Sequence, residues 1–387
     1  MIRIELIRDF QDPFLEEKWN NLLDLSYEPL VFQRYDWVKK CWKHFSGHNE
    51  ELCIFAAYDN SELVGLLPLK RKKLKPANYN MFSFVGSDIY DYTDFLIKKG
   101  EEEKVVKEVQ IYLNKNYQPF RFVARNILED SASCRYLSFA LKENRINGWG
   151  YSEDVVPVLR LPNSKEALRS VMKKSLRNDI FRQIRHLGAQ GKLTLERCDS
   201  LEKALQMIDI FFLQHTERWE SAKGYSAYKF GKRKEFAKDL LADFFDRRIA
   251  NVFFLLLGSR PIATCFALMF NGRFVYLSPS YDINYANYSP GKILLYKLTE
   301  YCVEENYRIF DFGIGKEPYK LQWRCDLSNL RTFFIFSEGK GLMGYLVKAR
   351  TRLSMFYMLK LLPFCRKFKF AVYLWRLYKR KQTPSNG

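Results

Sequence analysis

The sequence predicts a mixed α/β (α+β) fold made of two similar halves, each a mixed, mostly antiparallel sheet with flanking helices. The first observation is a hairpin signal in the second half, where Asn271-Gly272 separates the apolar runs 261–270 and 273–280. Asn-Gly suits a two-residue turn between strands. The second is that hairpin, helix and strand recur in the same order along the chain. The third is the length of 387 residues, which favours two domains over one small core.

The repeated order of elements is visible when the halves are compared. The first half has predicted strands at 52–57, 63–69, 82–85 and 92–97, a helix at 101–114 and a strand at 120–124. The second half has predicted strands at 252–257, 261–270 and 273–280, a helix at 291–305 and a strand at 308–313. Pro157, Pro162 and Asn163 mark the junction between the halves. The predicted segments are an N-terminal domain at 1–150, a C-terminal domain at 151–340 and a basic tail at 341–387.

Five short segments of the second half, in a fixed order, carry a resemblance to a known family. They are Leu176-Arg177-Asn178 with Arg182, His215-Thr216-Glu217-Arg218-Trp219, Tyr288-Ser289-Pro290-Gly291, Phe310-Asp311-Phe312-Gly313, and Tyr319-Lys320-Leu321-Gln322-Trp323. Their order and spacing resemble the GNAT-superfamily acetyltransferases of the cellulose-biosynthesis (CelD-like) type, and more distantly the Fem-type aminoacyltransferases. The resemblance implies tandem GNAT-like domains and an acyltransferase that uses acetyl-CoA or another acyl-CoA as co-substrate, without a metal.

The predicted helix near residue 291 is the candidate donor site, because it follows a strand and is opened by small residues. Free backbone N–H groups and the helix dipole make such a start suitable for a diphosphate. The resemblance implies that the donor is held by Tyr281, Ser289, Pro290, Gly291 and Lys292. The matching helix of the first half begins with three glutamates, which would repel a diphosphate. The second half is therefore predicted to hold the cofactor, and the first half to be structural or to help form the acceptor cleft.

Acyl transfer from a thioester needs a base for the ammonium acceptor, a donor for the oxyanion and an acid for the leaving thiolate. The catalytic candidates are Tyr319, Lys320, Asp311 and His215. Asp311 and His215 are the candidate bases and Tyr319 is the candidate acid, whereas Lys320 matches by position a lysine of the Fem-type relatives. Structural alternatives remain open: Asp311 as a cap on the following turn, His215 as a hydrogen-bonded neighbour of a packed tryptophan, and Tyr319 as a packing residue.

The substrate-binding candidates are cationic or aromatic side chains on two predicted helices. They are Arg177, Arg182, Arg218 and Trp219. Guanidinium groups hold phosphates and carboxylates in a two-pronged geometry. The alternative is a solvated basic face on an amphipathic helix, with Arg218 as an ordinary ion-pair partner.

Charge and composition restrict the function classes. The net charge is +19, but twelve Lys and Arg residues and no Asp or Glu follow Glu338. The chain therefore has a basic tail rather than a strongly basic body, which argues against DNA binding and predicts a helical tail on an anionic membrane surface. Eight cysteines without a C-x-x-C pair and a total of only four histidines argue against a metal site. No signal-peptide pattern or long apolar run is present, so the expected location is cytoplasmic or peripheral to the inner membrane.

Three functions follow from these observations. The first is an acyl-CoA-dependent N-acyltransferase acting on a sugar, an amino sugar or a cell-envelope or exopolysaccharide precursor, with a small-molecule or lipid-linked glycan as acceptor. The second is a Fem-type transferase that uses aminoacyl-tRNA. The third is a non-catalytic GNAT-like module at a membrane polysaccharide assembly. The identity of the acceptor is not encoded in any recognisable motif.

Overall fold

The computed structural model describes residues 2–337 except 75–78, 90 and 223, together with Leu353. In this part of the chain thirteen strands form one sheet, flanked by helices on both faces. The predicted tail at 341–387 lies outside the described residues apart from Leu353, so its helical form and its membrane contact stay predictions.

The strands of the first half are β1 Ile2–Ile7, β2 Glu50–Asp59, β3 Glu62–Leu74, β4 Tyr79–Phe84, β5 Leu96–Ile97, β6 Phe120–Leu128 and β7 Gly148–Arg160. Those of the second half are β8 Leu193–Arg197, β9 Ala250–Leu257, β10 Arg260–Phe270, β11 Arg273–Tyr281, β12 Ile309–Asp311 and β13 Asp326–Phe336. The predicted hairpin is confirmed between β10 and β11, where Asn271 and Gly272 both take the positive φ angles that such a turn needs.

The helices of the first half are α1 Leu15–Leu25, α2 Tyr35–Phe45, α3 Glu102–Asn116 and α4 Ala132–Lys142. Those of the second half are α5 Lys165–Ser170, α6 Lys174–Gly188, α7 Leu201–Ser221, α8 Gly231–Phe244 and α9 Pro290–Glu304. Short 3₁₀ helices occur at Val31–Gln33, Ile283–Tyr288 and Lys320–Gln322.

Each half contains one parallel strand pair joined by a helix. In the first half β4 pairs in parallel with β6, and α3 connects them. In the second half β11 pairs in parallel with β12, and α9 connects them. The other strand pairs of the described sheet are antiparallel. This repeat confirms the predicted mixed, mostly antiparallel α/β architecture.

The two halves exchange their last strands. The sheet order is β1-β2-β3-β4-β6-β13-β7-β12-β11-β10-β9-β8. Strand β7, which ends the first half, pairs with β12 of the second, and β13 pairs with β6 of the first half as well as with β7. Of the residues predicted to mark the junction, Pro157 lies inside β7, and Pro162 and Asn163 follow its end.

The hydrophobic cores lie on opposite faces of the sheet. Along β2, Leu52, Ile54 and Ala56 face a core shared with α1, α2, α7 and α8, so this core spans both halves. The alternate residues Cys53 and Phe55 face a second core under α3 and α4, as the two-residue period of a strand requires. A third core lies under α5, α6 and α9.

Two predicted elements of the chain differ from the structure. The strand expected at 92–97 is limited to Leu96–Ile97, because Tyr92 and Thr93 bind other parts of the molecule through the Tyr92 hydroxyl and the Thr93 N–H. The apolar spacing from Leu168 to Leu187, with Ser164 as a possible cap, predicts one helix, but the structure divides it into α5 and α6. The chain between them is bound to a neighbouring loop, since Lys173 N–H donates to the Gln322 carbonyl.

Candidate functional site

A gap opens in the sheet between β11 and β12. These strands pair over only three positions, from Arg273 opposite Ile309 to Val275 opposite Asp311. Strand β11 continues to Tyr281, whereas the chain turns away from it after Asp311. We call the space between residues 276–281 and the loop 312–323 the β11–β12 gap. In the described structure β11 pairs along these positions only with β10, so its other edge is open to an extended ligand.

The start of α9 lies beside the open end of this gap. A Cβ placed on Gly291 would be 3.4 Å from Cδ1 of Tyr281. Ser289 and Lys292 donate their N–H groups to the carbonyls of Ala286 and Ser289, and Pro290 has no N–H. Of these four residues, only Gly291 therefore has an N–H without a protein acceptor among the described contacts. The residues predicted to bind the acyl-CoA donor lie together. They offer fewer unbonded backbone N–H groups than the sequence suggested.

Arg218 brings a positive charge to the same end of the gap. Its guanidinium carbon is 5.4 Å from the ring centre of Tyr281, and Nη1 donates to the Pro279 carbonyl at 3.3 Å. The guanidinium also lies 5.9 Å from the ring of Trp219, which is 41% exposed. Arg218 and Trp219 on α7 therefore flank the Tyr281 side of the gap, as their assignment to ligand binding requires.

Arg182 and Lys292 share one carboxylate. Asp179 on α6 accepts from Lys292 Nζ at 2.8 Å and from Arg182 Nη2 at 2.7 Å. These hydrogen bonds hold the pKa of Asp179 below its usual value. Asp179 thus ties α6 to the start of α9 and holds both cations on one carboxylate. Arg177 donates instead to the Arg169 carbonyl at the end of α5.

His215 is buried with both ring nitrogens in hydrogen bonds. Trp219 Nε1–H donates to His215 Nε2 at 3.1 Å, so the neutral ring carries its proton on Nδ1 and donates it to Ser226 Oγ at 2.9 Å. Burial lowers the pKa of His215 to about 4, and the charges of Arg218 and Arg233 act in the same direction. This geometry corresponds to the structural alternative left open by the sequence.

The low pKa of His215 predicts a pH-dependent stability. Because the unfolded chain takes up a proton near pH 6.5 and the folded chain only near pH 4, the free energy of unfolding should fall as the pH drops through this window. The loss attributable to His215 should reach at most about 3 kcal/mol. Urea unfolding at pH 7 and pH 4.5 measures it, with His215→Asn as the reference that lacks this titration. Equal pH dependence in both proteins would contradict the prediction.

Asp311 lies at the closed end of the gap and is fully buried. Its Oδ1 accepts from the Tyr92 hydroxyl at 2.7 Å and from Gly313 N–H at 2.9 Å, and its Oδ2 accepts from Arg273 Nη1 at 2.8 Å. The carboxylate therefore caps the following turn and joins the two halves. With both oxygens occupied in this way, it is a poorly placed proton acceptor for a substrate.

Lys320 stabilises the loop that closes the gap. Its Nζ donates to the carbonyls of Ile314 at 2.7 Å and Gly313 at 3.4 Å, and it lies 2.9 Å from a carboxylate oxygen of Glu317. The residue is 4% exposed. Its contacts are thus directed into the loop 313–317 and not toward the open end of the gap.

Unlike Lys320, Tyr319 interacts electrostatically with charged side chains on both sides of the gap. Burial, and secondly the charge of Glu317, raises the pKa of Tyr319 above its ordinary value. Arg218 acts in the opposite direction. Burial raises the pKa of Tyr276, and the charges of Cys265 and Tyr319 add to this shift. Tyr319 is therefore a protonated phenol at neutral pH, close to residues on β11.

Asp91 is a candidate that the sequence analysis missed. Its Oδ2 accepts from Ile314 N–H at 3.1 Å and would lie 2.9 Å from a Cβ on Gly313. The first half of the chain thus places a carboxylate at the closed end of the β11–β12 gap. Burial raises the pKa of Asp91 to about 6, and the nearby charge of Asp311 adds to this shift. A recognisable signal was the run Asp91-Tyr92-Thr93-Asp94, with two carboxylates between apolar segments.

The residues around the gap fit a CoA thioester. The fit is supported by the open edge of β11, the Gly291 N–H and the cations Arg218 and Lys292. In addition, the buried hydroxyl of Ser280 and the buried indole N–H of Trp323 have no hydrogen-bond partner among the described residues. Buried polar groups of this kind normally bind something, and a pantetheine chain has amides that could satisfy them.

The described residues hold no group of three or more His, Cys, Asp or Glu side chains that could bind a metal ion. The seven described cysteines are free thiols. None of the described helices is long and apolar enough to cross a membrane.

Comparison with known proteins supports the fold and its acyltransferase class. Residues 174–321, which include α6, the β11–β12 gap and α9, match the family described as acetyltransferase (GNAT) domain. None of the curated proteins matches this sequence.

Solved structures share the fold at low sequence identity. FemX aligns with a TM-score of 0.60 and 10% identity, covering 86% of this chain and 98% of FemX. A conserved protein of unknown function from Bacteroides thetaiotaomicron VPI-5482 aligns with a TM-score of 0.54 and 10% identity, covering 87% and 100%. L-PGS from Bacillus licheniformis aligns with a TM-score of 0.51 and 11% identity, covering 90% and 98%. Residues 174–321 thus match a GNAT acetyltransferase domain within a tandem GNAT-like fold; the narrower CelD-like type is not distinguished.

Proposed function

We propose that the protein is an acyl-CoA-dependent N-acyltransferase acting on a sugar, an amino sugar or another cell-envelope or exopolysaccharide precursor. The observation that carries the proposal is the β11–β12 gap, with the start of α9 at its open end and Asp91 at its closed end. Acetyl-CoA or another acyl-CoA would lie along residues 276–281 of β11. The acceptor amine would enter from the side that the first half of the chain covers.

Contacts at the diphosphate and at the thioester would orient the acyl-CoA molecule. The diphosphate would meet the Gly291 N–H, Lys292 and Arg182, where the helix dipole also favours negative charge. Asp179 already forms hydrogen bonds with both cations. On ligand binding, either Asp179 moves away, or the diphosphate binds the part of the positive charge that Asp179 does not neutralise. The thioester would then reach the region of Tyr276 and Gly313, next to Asp91.

Asp91 and Tyr319 divide the proton transfers in this proposal. Asp91, with a pKa of about 6, is ionised at neutral pH and takes a proton from the acceptor ammonium, which can then attack the thioester carbonyl. Tyr319 is protonated and gives its proton to the departing thiolate. The pKa of Asp91 lies close to neutral pH, as suits a base, and Tyr319 holds its proton at neutral pH. His215 and Asp311 retain a positioning role.

Isothermal titration calorimetry with acetyl-CoA and with longer acyl-CoAs tests the donor assignment. We expect saturable binding, and transfer of the acyl group to an amino sugar in a panel that includes glucosamine and its phosphates. Free CoA should compete with the thioester, because it carries the same diphosphate. A protein that binds neither acetyl-CoA nor longer thioesters would refute the proposal.

Tyr319→Phe should separate chemistry from binding. We expect kcat to fall by about 10- to 100-fold, because the variant cannot protonate the leaving thiolate, whereas the Kd for acyl-CoA should change little. A second variant, Lys320→Ala, should lower the thermal stability of the protein, because it removes the Nζ that donates hydrogen bonds to the loop 313–317. Tyr225→Phe, at an exposed tyrosine, is the matched control. Unchanged turnover in Tyr319→Phe would assign that side chain to packing.

The second candidate function is a Fem-type transfer from aminoacyl-tRNA, which the structural similarity of 86% of this chain to FemX favours. Incubation with charged tRNA and the same acceptors separates the two donors. Aminoacyl transfer without any acyl-CoA binding would replace the first proposal. A chain active with neither donor would leave the non-catalytic module as the remaining candidate.

We also propose a peripheral membrane location through the basic tail, with a lipid-linked glycan or a small molecule as acceptor and no DNA partner. The cationic residues after Glu338 support it, because each Lys or Arg near an anionic leaflet contributes about 1 kcal/mol. In liposome flotation, the full chain should bind anionic vesicles more strongly than neutral ones, and a chain ending at Lys340 should lose this preference. High salt should weaken the binding. Equal flotation of both chains would assign the tail to packing.

A further inference from the structure

Arg233 is a cation near the proposed base that the proposed reaction does not use. It belongs to the first turn of α8, and its Nη1 donates to the Ile89 carbonyl at 3.3 Å. Ile89 precedes Asp91 by two residues, and two residues of chain span at most about 7 Å. Helix α8 therefore brings a guanidinium group to the segment that carries the proposed base.

Tyr228 connects these two charges to the β11–β12 gap. Its hydroxyl donates to Ser278 Oγ on β11 at 3.1 Å. Burial raises the pKa of Tyr228, the charge of Arg233 opposes this shift, and the carboxylate of Asp91 adds to it. Arg233 and Asp91 thus both lie close enough to act on one hydroxyl that contacts the wall of the gap.

Arg233 has no counterion among the described residues. Its single hydrogen bond in this part of the chain goes to a neutral carbonyl, and it takes part in no ion pair there. Lys238 on the same helix is instead paired with Asp209 at 2.7 Å. Arg233 is partly buried, and charged groups that are removed from water are normally paired. An anion supplied by a ligand would provide the counterion.

Two exposed aromatic rings lie next to Arg233. Phe230 is the residue that precedes α8, and such a residue lies close to the third residue of its helix, which here is Arg233. The ring of Phe230 is 5.5 Å from the ring of Tyr225, and both side chains are exposed. Adjacent exposed rings offer an apolar surface to a ligand, such as the C–H groups of a sugar ring. A positive charge and an apolar surface therefore adjoin each other beside the proposed base.

We propose that Arg233 binds an anionic group of the acceptor, so that the acceptor is an amino sugar that also carries a phosphate or a carboxylate. The amine lies at Asp91, the ring lies toward Phe230, and the anion binds the guanidinium donors that the Ile89 carbonyl leaves unused. Guanidinium groups match the oxygen geometry of both anions. The products are the N-acylated anionic sugar, CoA with a free thiol and one proton. This inference rests on the proposed function, because it assigns the acceptor of the same reaction.

Acyl transfer to matched acceptors tests the proposal on the full chain. The anionic probes are glucosamine 6-phosphate, glucosamine 1-phosphate and glucosaminuronic acid. Glucosamine is the control, because it has the same amine and no anion. We expect kcat/KM to be about 10- to 100-fold higher for an anionic probe than for glucosamine, the usual contribution of hydrogen bonds between charged groups. The preferred probe identifies the anion as a phosphate or a carboxylate.

Substitutions on one turn of α8 assign the preference to its residue. Arg233→Gln should lower kcat/KM for the anionic probes to the level of glucosamine. Lys232→Gln removes an equal charge from the adjacent, exposed residue and should keep the preference. Arg233→Lys retains the charge without the two-pronged geometry and should keep part of it. No preference for anionic acceptors in the wild type, an undiminished preference in Arg233→Gln, or an equal loss in Lys232→Gln would each overturn the proposal.

Calorimetry without a donor separates this inference from the proposed function. The anionic probes should bind the wild type more tightly than Arg233→Gln, whether or not acetyl-CoA binds. Such binding by a chain that uses no acyl-CoA would refute the donor assignment and support the role of Arg233, whereas donor binding without any acceptor preference would do the reverse. If Arg233→Gln fails to fold in a thermal scan, Arg233→Lys takes its place. Equal affinity of Arg233→Lys and the wild type for every anionic probe would then overturn the proposal.

Discussion

Replacing Asp91 with asparagine is expected to lower the rate of acyl transfer by about 100- to 10,000-fold, the usual contribution of a positioned base. The amide cannot take a proton from the acceptor ammonium, but its oxygen can still accept from Ile314 N–H. Donor binding should therefore change little. Steady-state kinetics, with a separate measurement of the Kd for acyl-CoA, distinguishes the two effects.

The pH profile gives Asp91 a second test. In the wild type, kcat should fall as the pH drops through about 6, where Asp91 becomes protonated. The variant should lack this acidic limb. Because the folded state raises the pKa of Asp91, its ionised form is disfavoured there, and Asp91→Asn should keep or raise the stability at pH 7. A stable variant with wild-type turnover would exclude Asp91 as the base.

Gly291→Glu is expected to weaken acyl-CoA binding by about 100-fold or more. The new carboxylate would stand at the start of α9, a few ångströms from the proposed diphosphate position, and at that range the repulsion of like charges reaches several kcal/mol. The substitution should not unfold the protein, because a negative charge is favourable at a helix N-terminus. Calorimetry with acetyl-CoA measures the loss.

Gly291→Ala is the matched control for the effect of charge. Its Cβ would lie at ordinary contact distance from Tyr281, at 3.4 Å from Cδ1. It should therefore retain donor binding within a few-fold of the wild type. If Gly291→Glu bound acyl-CoA as well as Gly291→Ala does, the diphosphate would have to lie elsewhere.

The elements that the sequence predicted correctly are those whose signals are local. The Asn271-Gly272 turn, helix α9 and the repeated hairpin, helix and strand each depend on residues that are close in the chain. The separation of α5 and α6 was missed because its cause is the distant carbonyl of Gln322, which binds Lys173 N–H. The exchange of β7 and β13 has no local signal either. The sequence of each strand would be the same whether it paired within its own half or with the other half.

In the candidate site too, the sequence did not indicate the features that depend on how the chain folds. Tyr281 and Gly291 were predicted to hold the donor and Arg218 to bind the substrate, and in the structure all three lie at the same end of the gap. The sequence did not indicate that Lys320 is enclosed by its own loop, because this follows from the fold of residues 313–317. Asp91 was missed since it comes from the other half of the chain. Its proposed role depends on its position beside Gly313 and Ile314, more than two hundred residues away.

The exchanged strands have a consequence for the origin and the handling of this chain. The two halves could descend from one duplicated ancestor. Even so, they are no longer separable copies, because each half completes its sheet with a strand from the other half. A fragment ending near residue 160 would expose an unpaired edge on β6, where a second molecule could bind and aggregate. Co-expressed fragments should instead reassemble, which makes a nicked chain the appropriate way to study either copy.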